Sequence, residues 1–153
     1  MSIFNSMNTS ASALTAQRLR MDLVSSNIAN AQTTRARMNV DGEYEPYRRK
    51  MAVLQPNEQS FQSHLKRASR SQDGRSIGSG VRVHSIVEDQ EPFKQVYNPL
   101  HPDANGEGFV QMPNVDPLEE MVDLMSATRS YEANVTALNA SKGMLMKALE
   151  IGK

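Results

Sequence analysis

The chain has 153 residues, no cysteine, no tryptophan, only 5% aromatics, and 17 basic against 17 acidic residues for a formal net charge of zero. This length accommodates one domain, or one small domain with extended arms; the absence of cysteine excludes disulfides and thiolate-ligated metals, and no apolar run reaches the 18 residues of a membrane-spanning helix. Ten methionines carry much of the apolar load, and methionine packs adaptably, so the composition favours a subunit whose apolar seams are completed by neighbours. Charge is unevenly placed: residues 1–82 hold 12 Lys/Arg and 6 Asp/Glu, residues 83–153 hold 5 and 11, a division suited to head-to-tail association.

Residues 1–30 read as a long helix. Met7, Leu14, Met21 and Ile28 recur every seven residues, Ile3, Phe4, Ala11 and Val24 widen the stripe, and Arg18, Arg20 and Asp22 mark the wet side. Its Ser, Asn and Thr content lowers helix propensity, so it needs packing against another helix. The same polar scatter over the first 17 positions leaves no apolar core for a cleaved secretory signal. Ala29-Asn30-Ala31-Gln32-Thr33-Thr34 reads as a helix exit and Asp41-Gly42 as a turn. Tyr47–Leu54 reads as a strand with a basic centre, Arg48-Arg49-Lys50, ended by Pro56.

Residues 57–80 are polar, with Asp73-Gly74 and Gly78-Ser79-Gly80, and read as a flexible loop. Lys66, Arg67, Arg70 and Arg75 make it basic, but Phe61 is its only aromatic, so nucleic-acid binding is not expected. Val81, Val83, Ser85 and Val87 alternate with Arg82, His84 and Ile86 in strand fashion. Phe93–Tyr97 and Gly108–Met112 read as two further strands around a loop dense in breakers, Asn98 to Gly106.

The second long helix opens at Asp116, an N-cap followed by Pro117 at the first helical position and Glu119 at capping-box spacing. Met121, Leu124, Tyr131, Val135, Leu138, Leu145 and Leu149 then recur at steps of three and four, with Thr128 and Lys142 interrupting the seam. That period of about 3.5 is the coiled-coil period. Some 35 helical residues at ~1.5 Å each give roughly 50 Å, too long for the core of a chain this size, so the helix requires a partner. The expected class is therefore α+β: two long terminal α-helices forming a coiled-coil-like layer with a small central β unit between them. The division is residues 1–34, 35–115 (with the loop at about 57–80) and 116–153.

Catalytic and ligand constellations are missing. His64, His84 and His101 lack a second histidine at ligand spacing; His101 and Asp103 alone make a poor metal site. His101-Pro102-Asp103 matches the chaperone J-domain tripeptide, but it lies between strands, not between helices. Two glycosylation patterns, Asn8-Thr9-Ser10 and Asn134-Val135-Thr136, fall inside helices. No phosphate loop, nucleotide fingerprint or nucleophile elbow is present. No enzyme, cofactor or metal is expected.

The run Ser25-Ser26-Asn27-Ile28-Ala29-Asn30-Ala31-Gln32-Thr33-Thr34 resembles the N-terminal signature of the flagellar rod, hook and hook-associated axial proteins, with Ser26, Asn27, Ile28, Ala29, Asn30 and Thr33 as its core. Val81-Arg82-Val83, Val87-Glu88-Asp89, Tyr97-Asn98-Pro99, His101-Pro102-Asp103-Ala104 and Gly108 through Asp116 narrow the resemblance to the proximal-rod members. Glu119 to Met125 and Ser130-Tyr131-Glu132-Ala133-Asn134 continue it. The match covers both ends and most of the middle, and is weakest over residues 57–80. It implies a non-enzymatic subunit of the basal-body rod, located in the periplasm, exported by the flagellar type III apparatus without a cleaved signal and not spanning the membrane. Its partners would be further copies of itself, other rod proteins and export-gate and basal-body components, near peptidoglycan. The terminal helices would form an inner layer, with Met7, Leu14, Met21 and Ile28 of one and Met121, Leu124, Tyr131, Val135, Leu138, Leu145 and Leu149 of the other at the assembly interface. The alternative is another type III-exported helical assembly or translocator protein.

Overall fold

In a computed structural model the described residues are 3–39, 42–57 and 80–152; the expected polar loop lies almost wholly outside them. The element order among them is α1 (Ile3–Ala29), β1 (Arg37–Met38), β2 (Tyr44–Glu45), β3 (Lys50–Pro56), β4 (Val81–Glu88), β5 (Lys94–Tyr97), β6 (Phe109–Met112) and α2 (Pro117–Ile151). Two terminal helices enclose small two-stranded ribbons, the α+β arrangement expected from the sequence.

Each helix begins or ends where its polar residues can satisfy the backbone. Asp116 caps α2 by accepting a bond from the Leu118 amide at 3.0 Å, while its own carbonyl receives the Glu120 amide. The expected return bond from Glu119 is not what that side chain makes; its carboxylate lies 3.5 Å from Arg49 instead. At the exit of α1, Asn30 donates from its side chain to the Ser26 carbonyl at 2.9 Å. Thr33 then donates to the Asn30 carbonyl from its amide and to Asn30 Oδ1 from its hydroxyl. Side-chain bonds of this kind supply an alternative to the helix ladder and stop it.

The strands form three ribbons, β1–β2, β3–β4 and β5–β6. In β1–β2, Arg37 opposes Glu45 and Met38 opposes Tyr44, with Gly42 at φ +82° in the connection. Two residues per strand are too few for alternation to be read, and so these strands escape sequence analysis. β3–β4 is bracketed by Asn57 donating to the Gly80 carbonyl at 2.7 Å and Asp89 donating to the Arg49 carbonyl at 2.8 Å, which makes it antiparallel. The strand expected at Tyr47–Leu54 begins three residues later, because Tyr47 and Arg49 are drawn into side-chain bonds described below.

In β5–β6 the register runs from Lys94 opposite Met112 to Tyr97 opposite Phe109. The two rings meet edge to face at 5.4 Å. Gly108 returns the chain into β6 at φ +83°, and a Cβ there would lie 3.0 Å from the Tyr97 ring and 3.3 Å from Pro99. Gly108→Ala therefore combines left-handed backbone strain with a tight contact and is expected to cost ~1–3 kcal/mol. A urea midpoint unchanged from the parent chain would contradict this.

The chain forms two compact units. The first comprises residues 1–19, 53–85 and 127–153. Among its described residues the buried hydrophobic ones are small, Ala16 and Ala127. Ser12 Oγ donates to the Thr9 carbonyl at 2.7 Å and accepts from the Val81 amide at 3.0 Å, tying α1 to β4. Gly80 abuts the same serine, and any side chain there would displace it.

The second unit comprises residues 20–52 and 86–126, and its core is larger: Val24, Tyr47, Val110, Pro113 and Val115, with Asn27, Asn114 and Glu120 buried among the polar residues. Arg48 lies over the Phe93 ring at 4.4 Å. Lys50 lies 5.6 Å from the centre of the Tyr47 ring. The basic centre of the sequence is thus engaged internally. Cations over aromatic faces are held by the ring quadrupole.

The covered strip of α2 follows the steps Glu120, Leu124, Ala127, Tyr131, Asn134, Leu138, Ser141, Leu145. This keeps the 3.5 period but alternates large residues with small or polar ones. Met121, Lys142 and Leu149 are exposed in the single chain, while Thr128 and Val135 are half-buried beside the strip. On α1, Met7, Leu14, Met21 and Ile28 are all half-buried.

Candidate functional site

The chemistry of the second unit gathers where α1 ends, β3 begins and α2 starts. Asn27 is 1% exposed and Glu120 is 1% exposed, although they are 93 positions apart. Asn27 Oδ1 accepts from the Tyr47 hydroxyl and from the Lys50 amide, each at 3.0 Å. Its Nδ2 donates to the Lys50 carbonyl and to Glu120 Oε2, each at 3.0 Å. All four capacities of the amide are used. The paired bonds to Lys50 imitate a strand neighbour, so the side chain of a helix residue completes the edge of β3.

Glu120 uses its other oxygen for Arg49, whose Nε donates at 2.5 Å. Arg49 also lies 3.5 Å from Glu119 and 3.9 Å from Asp89. Its amide donates to Asn114 Oδ1 at 3.0 Å, which fixes the turn before α2. Burial pulls the Arg49 guanidinium down, but the hydrogen bond to Glu120 and the charges of Glu120, Glu119 and Asp123 outweigh it, and the net shift is upward. Arg49 is therefore a permanent cation facing a buried carboxylate. Two turns before Asn27 on α1 and one turn after Glu120 on α2, Arg20 pairs with Asp123 at 3.1 Å. In this unit the Arg20–Asp123 and Asn27–Glu120 contacts run in opposite chain senses, an antiparallel approach of the two helices.

The structure assigns Glu120 to this buried polar latch, while Asp116 fills the capping role at the same helix start. The signal was present: Glu120 stands four residues before Leu124 and seven before Ala127, on the strip that faces inward, and a charge at such a position demands a partner.

The core motif residues fall around the same junction. Ser26 Oγ lies 3.4 Å from the Tyr47 hydroxyl, Ile28 is half-buried and Ala29 is exposed. Asn30 and Thr33 close the helix exit, and the Thr33 carbonyl accepts the Tyr47 amide at 3.1 Å. The residues named from the C-terminal seam lie along the rest of α2 and do not enter the latch.

The His101-Pro102-Asp103 loop is anchored to the residues after α1. Asp103 accepts from the Thr34 hydroxyl and from Arg35 Nε, both at 2.7 Å. His101 Nδ1 accepts the Asp103 amide at 3.1 Å. Both Asp103 oxygens and His101 Nδ1 are thus engaged by protein. Among the described residues no group of three or more His, Asp or Glu could hold a metal ion, and no helix is long and apolar enough to cross a membrane.

The hydrogen bonds from Arg35 and Thr34 hold the Asp103 carboxyl below its ordinary value of 3.8. The folded state then binds fewer protons than the unfolded state. The anchor's contribution to stability is full above the unfolded pKa and disappears as pH falls through the lower folded value. An NMR carboxyl titration is expected to place the Asp103 midpoint below 3.8 in the parent chain and to move it upward in Arg35→Ala. A midpoint indifferent to that substitution would remove the anchor.

Comparison with known proteins identifies the same regions. The family described as flagella basal body rod protein matches residues 7–37, and that described as flagellar basal body rod FlgEFG protein C-terminal matches residues 107–151. The flagellar basal-body rod protein FlgC of Bacillus subtilis is 63% identical over the full length of both chains. The FlgC proteins of Borreliella burgdorferi and Salmonella typhimurium are 44% and 40% identical, over 99% and 100% of this chain and 98% and 100% of theirs. At these identities over the full length, the chain belongs to the FlgC family of flagellar basal-body rod proteins, structural subunits of the rod.

Proposed function

We propose that this chain builds the proximal rod by helical assembly through α1 and α2, catalyses no reaction, and reaches its site through the flagellar type III export apparatus. In this reading the terminal helices form the wall of the export channel inside a periplasmic rod, and the assembled rod transmits torque. The supporting observation is the incomplete cover of the helical seams. Met7, Leu14, Met21, Ile28, Leu124, Tyr131, Val135, Leu138 and Leu145 are each only half-buried in the single chain, and Met121 and Leu149 are exposed. Apolar surface left in water at these positions is stabilised by burial against neighbours. Partners are further copies of this chain, other rod proteins and basal-body components.

The buried latch serves this function by fixing the start of α2 against the end of α1 while leaving both helix surfaces available. Deletion of the gene is expected to abolish flagella and swimming, with restoration by the parent gene in trans. Flagellated, swimming cells in a deletion strain with no second copy would exclude the rod reading.

A further inference from the structure

The loop between β5 and β6 holds the only Asn-Gly pair of the chain, Asn105-Gly106. Asn105, Gly106 and Glu107 are exposed, and a Cβ added at Gly106 would meet no atom within 4 Å. Asn105 closes this loop. Its amide donates to the Phe109 carbonyl and its carbonyl accepts the Gly108 amide, each at 2.9 Å. Its side-chain Oδ1 accepts the Glu107 amide at 3.1 Å and the Phe109 amide at 2.9 Å. The bond to Glu107, two residues on, folds the side chain back over the Asn105–Gly106 peptide. The Asn105 Nδ2 has no hydrogen bond among the described residues. By contrast Asn27, Asn30, Asn39 and Asn134 each donate from Nδ2 to a carbonyl or carboxylate. Asn98 precedes Pro99, which has no amide hydrogen.

We propose that Asn105 is a site of spontaneous covalent modification in the folded chain, passing through a succinimide to aspartate and isoaspartate and unlocking the β5–β6 loop. The Gly106 amide nitrogen attacks Asn105 Cγ. A bond forms between them, the Cγ–Nδ2 bond breaks, and Nδ2 leaves as ammonia with the proton that Gly106 gives up. Water then opens the ring at either carbonyl. Negative charge develops on Oδ1 during the attack, where the Glu107 and Phe109 amides already point, and donors fixed at that place lower the barrier. Glycine at 106 leaves the backbone free to turn its nitrogen toward Cγ. The two products differ. Aspartate keeps an oxygen in the place of Oδ1 and adds one negative charge. In isoaspartate the main chain runs through Cγ and is one carbon longer, so the bonds from Glu107, Gly108 and Phe109 cannot all persist. The edge-to-face contact of Tyr97 with Phe109, at 5.4 Å, depends on that closure.

The test uses the full-length protein, held in neutral buffer at physiological temperature, with the chain unfolded in guanidinium chloride as reference. Peptide mass mapping follows each asparagine, and isoaspartyl methyltransferase labelling counts isoaspartate. In the folded parent chain Asn105 should be converted before any other asparagine, with ammonia released in step. Gly106→Ala should slow this at least about tenfold, a barrier rise of roughly 1.4 kcal/mol. Gly106 has no left-handed backbone angle and has open space around it, so the variant keeps the loop, and unchanged far-UV circular dichroism verifies the fold. In the isoaspartate fraction the nuclear Overhauser contact between the Tyr97 and Phe109 rings should be lost. Conversion of another asparagine first, equal rates in Gly106→Ala and parent, or conversion of Asn105 in the unfolded reference alone overturns the proposal. A ring contact that persists in the isoaspartate fraction overturns the unlocking of the loop.

Discussion

Glu120→Ala is expected to destabilise the chain by about 3 kcal/mol, the largest loss from any single side-chain truncation in the second unit. Breaking a buried ion pair by removing one partner typically costs ~3–5 kcal/mol, because the remaining charge is left buried. The lower end applies here: the Arg49 side chain keeps 17% exposure, and Glu119 and Asp89 remain within 4.0 Å of it. The same truncation takes an acceptor from Asn27 Nδ2, which is itself buried. Urea denaturation followed by circular dichroism measures the loss. A double variant, Arg49→Met with Glu120→Leu, is expected to recover part of it, since exchanging both partners for apolar groups leaves no orphaned charge. A Glu120→Ala chain within 1 kcal/mol of the parent would show that the latch is not a stabilising contact.

Leu138→Pro is expected to cost at least about 3 kcal/mol and to break α2 in its second half. Proline removes the amide that bonds to Asn134 and clashes with the carbonyl of that residue. Leu138 lies 13 residues before the end of the helix, Ile151, so no terminal fraying can absorb the break. Circular dichroism should show helix loss, and a strain complemented with this variant should lack flagella. Leu138→Ala should fall below the ~2–5 kcal/mol of a fully buried leucine, because the side chain is only half-covered in the single chain. The difference between the two variants separates helix continuity from side-chain packing. Normal flagella in the proline strain would rule out a continuous helix at this point of the rod.

The terminal helices are legible because their signals are local. A seven-residue recurrence from Met7 to Ile28, an Asp116-Pro117 start and a run of three-and-four steps from Leu124 to Leu145 each concern residues within a few turns of one another. Strands β4, β5 and β6 are legible for the same reason, through alternation and the breakers between them. The β1–β2 ribbon is too short for a period, and the start of β3 depends on what Tyr47 and Arg49 bond to.

The latch is legible only in part. Asn27 stands in a motif, and Arg49 and Glu120 are visible as charges. Nothing within ten residues of any of them indicates that one amide would satisfy Tyr47, Lys50 and Glu120 together. Likewise the periodicity of α2 selects its apolar residues, whereas the covered strip also takes in Glu120, Ala127, Asn134 and Ser141. A close helix approach favours small side chains, and a buried carboxylate requires a cation.

By itself the sequence determined the helix limits, the 3.5 period, the Asp116 cap and the family. The tertiary structure decided which side of each helix is covered and which charges are buried. The reason is physical: helix propensity, capping and periodicity act over a few residues, but a buried polar group is stable only beside its partner, and here that partner is 93 positions away.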